Sequence, residues 1–190
     1  MCTDTIIIRR GDRGFSLSEL LVVAALIAVG SAVALPLTMS TVRRANNDGA
    51  LAVTQTFLDT ARDRAVAERR NFELTFIAPN RIRLQRVEVP SGVKTTVDEV
   101  QLEAGQQFHK FGGMLDTPDA FGAASEMQSG VLAAMFTSDG SLIKVVDGDI
   151  TNGTVFFGKP GQPDTARAVT IFGVTGLLRA WKWRGTAWLE

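Results

Sequence analysis

Residues 14–36, GFSLSELLVVAALIAVGSAVALP, limit what this chain can become more than any other stretch. Between positions 15 and 35 the only polar side chains are Ser16, Ser18, Glu19 and Ser31. Wound as a helix, this run reaches about 31 Å at about 1.5 Å per residue. That length matches a bilayer hydrocarbon core of about 30 Å. One carboxylate, Glu19, interrupts the run and has no basic neighbour inside it. A charge at the middle of a membrane helix costs about 2.5–3.5 kcal/mol on insertion scales, so this glutamate requires a compensating role.

Three readings of the run compete. It can be a cleaved secretory signal, with Arg9, Arg10 and Arg13 as the basic region and Ala32-Val33-Ala34 as a small-x-small cleavage site. It can be a plain anchor whose basic end stays in the cytoplasm. A twin-arginine export signal fits poorly, because Gly11-Asp12-Arg13 follows the Arg9-Arg10 pair. The third reading uses every residue. Gly14-Phe15-Ser16-Leu17-Ser18-Glu19-Leu20-Leu21-Val22-Val23, after a basic leader, resembles the processing site of type IV pilins and type II secretion pseudopilins. The resemblance implies a prepilin peptidase that cuts between Gly14 and Phe15 and methylates the new N-terminus of Phe15. It also implies that Glu19 neutralises the Phe15 amine of a neighbouring subunit, making it an assembly residue. Unpaired charge is very unfavourable in low dielectric and paired charge much less so. Pro36 falls where that family often carries a helix-kinking proline.

Charge adds little. The chain has 190 residues, 20 basic and 20 acidic side chains, and no net charge. Removing residues 1–14 takes away Arg9, Arg10 and Arg13 against Asp4 and Asp12, which leaves the mature chain at net −1. Neither value argues for a nucleic-acid or acidic partner. The one cysteine, Cys2, lies in the leader, so a mature chain has no disulfide and no thiolate metal site.

Helical character continues after Pro36 to about position 70. Leu51, Thr54, Leu58, Ala61 and Ala65 recur at three- and four-residue steps, with Phe57 and Val66 widening the stripe. Asn46-Asn47-Asp48-Gly49 marks a place where the helix bends or breaks. From position 71 the pattern turns to strands: 72–76, a turn at Ala78-Pro79-Asn80, then 82–89 and 93–102. Positions 103–130 are rich in Gly, Asp, Pro and Gln and read as a long, variable loop. The segments 131–137 and 142–146 flank Ser138-Asp139-Gly140-Ser141, a hairpin signal. Strands at 154–157, 168–172 and 177–183 complete the chain.

The expectation is an α+β fold. Its long N-terminal helix has a transmembrane first half (15–36) and an amphipathic second half (37–70). That helix packs on an antiparallel, sandwich-like head (71–190), and residues 1–14 form the leader. Phe136-Thr137-Ser138-Asp139-Gly140-Ser141 and the closing run from Val169 to Arg179 resemble the GspH/FimT branch of pseudopilins and minor pilins. The resemblance implies a low-abundance filament subunit. It would sit in the bacterial inner membrane as a single-pass protein with its head in the periplasm. Its partners would be other pilins or pseudopilins, the peptidase and secreted cargo.

No catalytic set emerges, so the expectation is a non-enzyme without cofactor or metal. His109 is the lone histidine and has no partner at ligand spacing. Asp139-Gly140, Asp147-Gly148-Asp149 and Gly158-Lys159-Pro160-Gly161 read as turns rather than calcium or phosphate loops. At the C-terminus Arg179, Lys182 and Arg184 interleave with Trp181, Trp183 and Trp188. Cations beside aromatics suit nucleic acid. The FimT side of the family associates a basic Gly-Arg-x-Arg-type motif with DNA uptake, and Gly176-Leu177-Leu178-Arg179 stands at the matching place, with Leu177 for the first arginine. Strand alternation gives the structural alternative: Trp181 and Trp183 on one face of a half-buried edge strand, Lys182 and Arg184 on the other. The functional alternatives are therefore a DNA-binding minor pilin and an exported soluble β-protein cut after Ala34.

Overall fold

The structure, a computed structural model, describes residues 16–121 and 131–190, with the side chains of all of these but 33–40, 43, 131 and 132. The chain divides into two compact units, Met1–Val42 and Arg43–Glu190. Helix α1 runs Leu17–Glu68. Its backbone stays helical through position 36 and through the Asn46–Gly49 stretch.

The first turn of α1 explains its start. The Glu19 N–H donates to Ser16 Oγ at 3.3 Å, and Ser16 Oγ also lies 2.8 Å from Ser18 Oγ. Ser16-x-x-Glu19 has the sequence form of a capping box. An acid in the first turn also faces the positive end of the helix dipole. At the other end Arg69 adopts a left-handed φ of 51°, and the Arg70 N–H donates back to Ala65 O at 3.2 Å. That reversal turns the chain into the sheet without a glycine.

In the second unit Leu51, Thr54, Leu58, Ala61 and Ala65 are all buried, as their spacing predicts. Phe57 joins them, but Val66 is 45% exposed and lies outside the stripe. The expected break at Asn46–Gly49 does not occur. The polar residues there are tertiary anchors instead: buried Asn47 accepts from Gln106 Nε2, and Asp48 pairs with the buried Arg167.

The strands form two antiparallel five-stranded sheets. Sheet A runs β3-β2-β1-β5-β6 and sheet B runs β10-β9-β8-β7-β4. Sheet A holds β1 (Phe72–Ile77), β2 (Arg81–Val87), β3 (Lys94–Gln101), β5 (Val131–Phe136) and β6 (Leu142–Lys144). Sheet B holds β4 (Gln107–Phe108), β7 (Gly153–Lys159), β8 (Gln162–Phe172), β9 (Leu177–Trp183) and β10 (Trp188–Leu189). The short β4 and β10 have no counterpart in the expected strands, and β7 and β8 begin earlier than their apolar runs.

One core joins the helix to both sheets. Leu58 and Ala61 meet Phe72, Leu74 and Phe136 from sheet A, and Val155, Phe157 and Ile171 from sheet B. The outer faces differ. On sheet A, Arg81 and Arg83 both bond Glu99, at 3.1 and 2.8 Å. The Arg83 bond, helped by Arg81, holds the Glu99 carboxyl below its usual range. On sheet B a second cluster forms from Phe156, Ala166, Ala168, Trp181, Trp183 and Trp188, with Phe111 packed on it.

Phe111 belongs to the segment expected to be a long variable loop. Its described part, 103–121, first adds β4 to the edge of sheet B and then, from position 109, runs as a strap across the outer face of that sheet. Gly158, expected in a turn, lies on β7 and provides the seat: a Cβ there would stand 2.5 Å from the Phe111 ring. Trp188 Nε1 donates to Leu115 O at 2.8 Å, and Phe121 approaches Phe172 with ring centroids 6.0 Å apart. Residues 122–130 lie outside the described residues.

The Ser138–Ser141 signal does close the β5–β6 hairpin. Asp139 Oδ1 accepts from the hydroxyls of Thr137 and Ser141. The Thr137 bond, then those of Ser141, holds the Asp139 carboxyl below its ordinary range.

Candidate functional site

Two regions carry the functional residues, and each lies in a different unit. In the N-terminal unit the expected cleavage point, Gly14 and Phe15, lies outside the described residues. Glu19 is described. It sits in the first turn of α1, exposed, and makes no ion pair among the described residues. Around it Leu17, Leu20, Leu21, Val22, Val23, Leu26, Ile27 and Val29 are all exposed. Among the described residues no helix is long and apolar enough to cross a membrane.

Reading the sequence as a membrane segment left the capping role of Ser16 unnoticed. The signal was present as Ser16-x-x-Glu19. The cap is made by the Ser16 hydroxyl on the Glu19 backbone N–H, so it does not use the Glu19 carboxylate. The charge of that carboxylate remains unmatched among the described residues.

In the head the three C-terminal cations do not converge. Arg179 and Trp181 lie on the outer face of β9, whereas Lys182 alternates to the other face. Arg184 follows the strand end and is exposed. Arg179 Nη1 donates to Asp119 Oδ1 at 2.7 Å. Asp119 Oδ2 accepts from Thr170 Oγ1 at 2.6 Å, and Thr170 Oγ1 accepts from Trp181 Nε1 at 2.9 Å. The chain of bonds fastens the strap to the sheet. It also satisfies an indole N–H that burial would otherwise strand. The expectation that β9 is an edge strand does not hold: β10 lies outside it, pairing Trp188 with Trp183 and Leu189 with Lys182.

The remaining candidates have structural settings. The His109 N–H donates to Phe156 O at 3.1 Å, and its ring meets Phe111 edge-on at 4.5 Å. Lys110 Nζ lies 5.2 Å from the centre of the Phe156 ring. Gly148 takes a left-handed φ of 77° in the turn after β6. Among the described residues no group of three His, Cys, Asp or Glu side chains is placed to hold a metal ion.

Residues 9–35 match the family described as "Prokaryotic N-terminal methylation motif". No curated protein matches the chain. Among solved structures the chain is similar to the minor pseudopilin EpsH from the type 2 secretion system of Vibrio cholerae. That match has 14% identity and a TM-score of 0.49, and covers 72% of this chain and 97% of that one. It is also similar to the type IV minor pilin FimU of Pseudomonas aeruginosa strain PAO1, at 15% identity and a TM-score of 0.48, over 82% of this chain and 98% of that one. The chain therefore carries a prokaryotic N-terminal methylation motif over residues 9–35, followed in sequence by an antiparallel β head.

Proposed function

We propose that this chain is a minor pseudopilin or pilin subunit, processed after Gly14 and assembled through its N-terminal helix. The observation that carries the reading is the methylation motif over residues 9–35, with an exposed glutamate, unpaired among the described residues, one turn into the helix. A free amine on Phe15 of a neighbouring subunit is a suitable counter-charge for Glu19. In low dielectric such a pair is far less costly than either charge alone, so the pair sets the register between subunits. The stretch 15–36 would hold the subunit in the inner membrane before assembly. The head, residues 71–190, would then face the periplasm and meet other minor subunits or cargo. Residues 37–70 would connect the two.

N-terminal sequencing of the mature chain tests the processing. A start at N-methyl-Phe15 is expected; a start at Leu35 would assign the chain to exported soluble proteins and end this reading. The register role has its own test. Glu19→Ala removes the carboxylate outright, whereas Glu19→Gln keeps its size and removes only the charge; the Ser16 bond to the backbone N–H survives in both. Both variants should be cleaved normally and fail to enter filaments. Normal incorporation of Glu19→Gln would end the register role of the Glu19 charge.

A further inference from the structure

Among the described residues the strap leaves one end of sheet B's outer face uncovered. It covers the face around Trp181, Trp183 and Trp188, while the last rung of β8 and β9, the Phe172–Leu177 pair, is not covered by any described residue. Phe172 is 43% and Leu177 55% exposed. Together with Phe121 and Arg179 they line a groove of about 510 Å³, within the range of ordinary ligand pockets.

Among the described residues the polar end of this groove presents a part-exposed guanidinium, and the Asp119 carboxylate beside it already accepts on both oxygens. Thr170 takes one and Arg179 the other, and the Asp119 side chain is 12% exposed. Arg179 spends Nη1 on Asp119, yet half of its side-chain surface remains exposed. Thr175 Oγ1, also in the groove lining, accepts from the Leu177 N–H. An apolar floor beside a guanidinium calls for an apolar side chain next to a carboxylate.

We propose that this groove docks an extended peptide segment of a partner protein, with an aliphatic or aromatic side chain on Phe172 and Leu177 and an adjacent carboxylate on Arg179. The carboxylate takes guanidinium donors that Asp119 leaves free, and charge-assisted bonds of this kind are the stronger ones. The site is independent of the N-terminal helix, so it stands or falls separately from processing at Phe15.

The test is an NMR titration of the full chain in detergent micelles. The probes are a blocked glycine-flanked Leu-Leu-Glu peptide and its Leu-Leu-Gln counterpart. Saturable shifts are expected at Phe172, Leu177 and Arg179 with the glutamate peptide. The glutamine peptide should bind about tenfold more weakly, as expected for loss of one charged hydrogen bond. Arg179→Gln should bring the two peptides to the same affinity, while Lys182→Gln, on the other face, should leave both unchanged. Because Arg179 also holds Asp119, Leu177→Asn serves as the second variant: it preserves that pair and should weaken both peptides. Absence of saturable shifts, equal affinity for both peptides, or a Leu177→Asn variant that binds like the parent overturns the proposal. So does a single-stranded oligonucleotide that produces the shifts and loses them in Lys182→Gln and Arg184→Gln.

Discussion

The two sheets of the head share one core but treat their outer faces in opposite ways. Sheet A meets solvent with Arg81, Arg83, Gln85 and Thr96, joined in cross-strand bonds. Sheet B buries its outer face under the 109–121 strap, so β8 is buried on both sides from Thr165 to Ile171. The helix repeats the contrast. It reaches sheet A through exposed pairs, Arg64–Asp98 at 3.7 Å and Glu68–Arg86 at 3.2 Å. It reaches sheet B through Asp48 and Arg167, whose guanidinium side is only 5% exposed. Desolvated contacts are expensive to break and solvated ones cheap. Stability should therefore concentrate in sheet B, with sheet A's outer face free to vary.

The largest test of this contrast is Trp181→Ala. Removing an indole from the sheet B cluster should cost about 3–5 kcal/mol in chemical denaturation, with extra exposure of Trp188 in emission as the strap loosens. A loss under about 1 kcal/mol would mean that the strap covers the face without packing on it. Asp48→Ala comes next. It leaves Arg167 buried with only the carbonyls of Asp164 and Ala166 as acceptors. The expected loss is about 1.5–3 kcal/mol, the scale of hydrogen bonds to charged groups. On sheet A, Arg83→Gln should change stability by about 0–1 kcal/mol and lose even that in high salt. An effect as large as that of Asp48→Ala would erase the distinction between the faces.

The smallest effect comes from Asp59 on the helix. Burial, then Asp63, raises its pKa, with Arg62 opposing. A carboxyl raised on folding costs stability when ionised, and the cost disappears as pH falls through the raised value. Asp59→Asn should therefore raise the melting temperature slightly at neutral pH, and the gain should vanish in acid. A gain that persists in acid would assign the effect to packing.

Legibility followed the same division. Strands with one wet face announce themselves by alternation. Phe72, Leu74 and Phe76 marked β1, and the Ser138–Ser141 turn marked its hairpin. Strand β8 hid its first half, because Thr165 and Arg167 are polar yet buried; Thr165 bonds nearby to Lys159 and Gln162, but Arg167 needs Asp48 from far along the chain. The strap hid for the complementary reason. Its Phe111, Met114 and Leu115 lie in a Gly- and Asp-rich stretch with no period of its own. Their partners are Gly158, Phe156 and Trp188, none of them local. Asn47 and Asp48 looked like helix breakers because local propensity penalises them. Gln106 and Arg167 repay that penalty from a distance.

By itself the sequence determined the leader-like N-terminus, the apolar start of the helix, its buried stripe and the turn chemistry of the hairpins. Each of these is settled by neighbours within a few residues: a period, a cap, a glycine. Only the tertiary structure decided that the 109–121 segment is a strap and that Asp119 ties it to Arg179 and Trp181. Only the fold could show that Arg179 and Lys182, three residues apart, face opposite ways in the head. Those outcomes depend on which buried donor meets which acceptor across the fold, and that information is absent from any window of the chain.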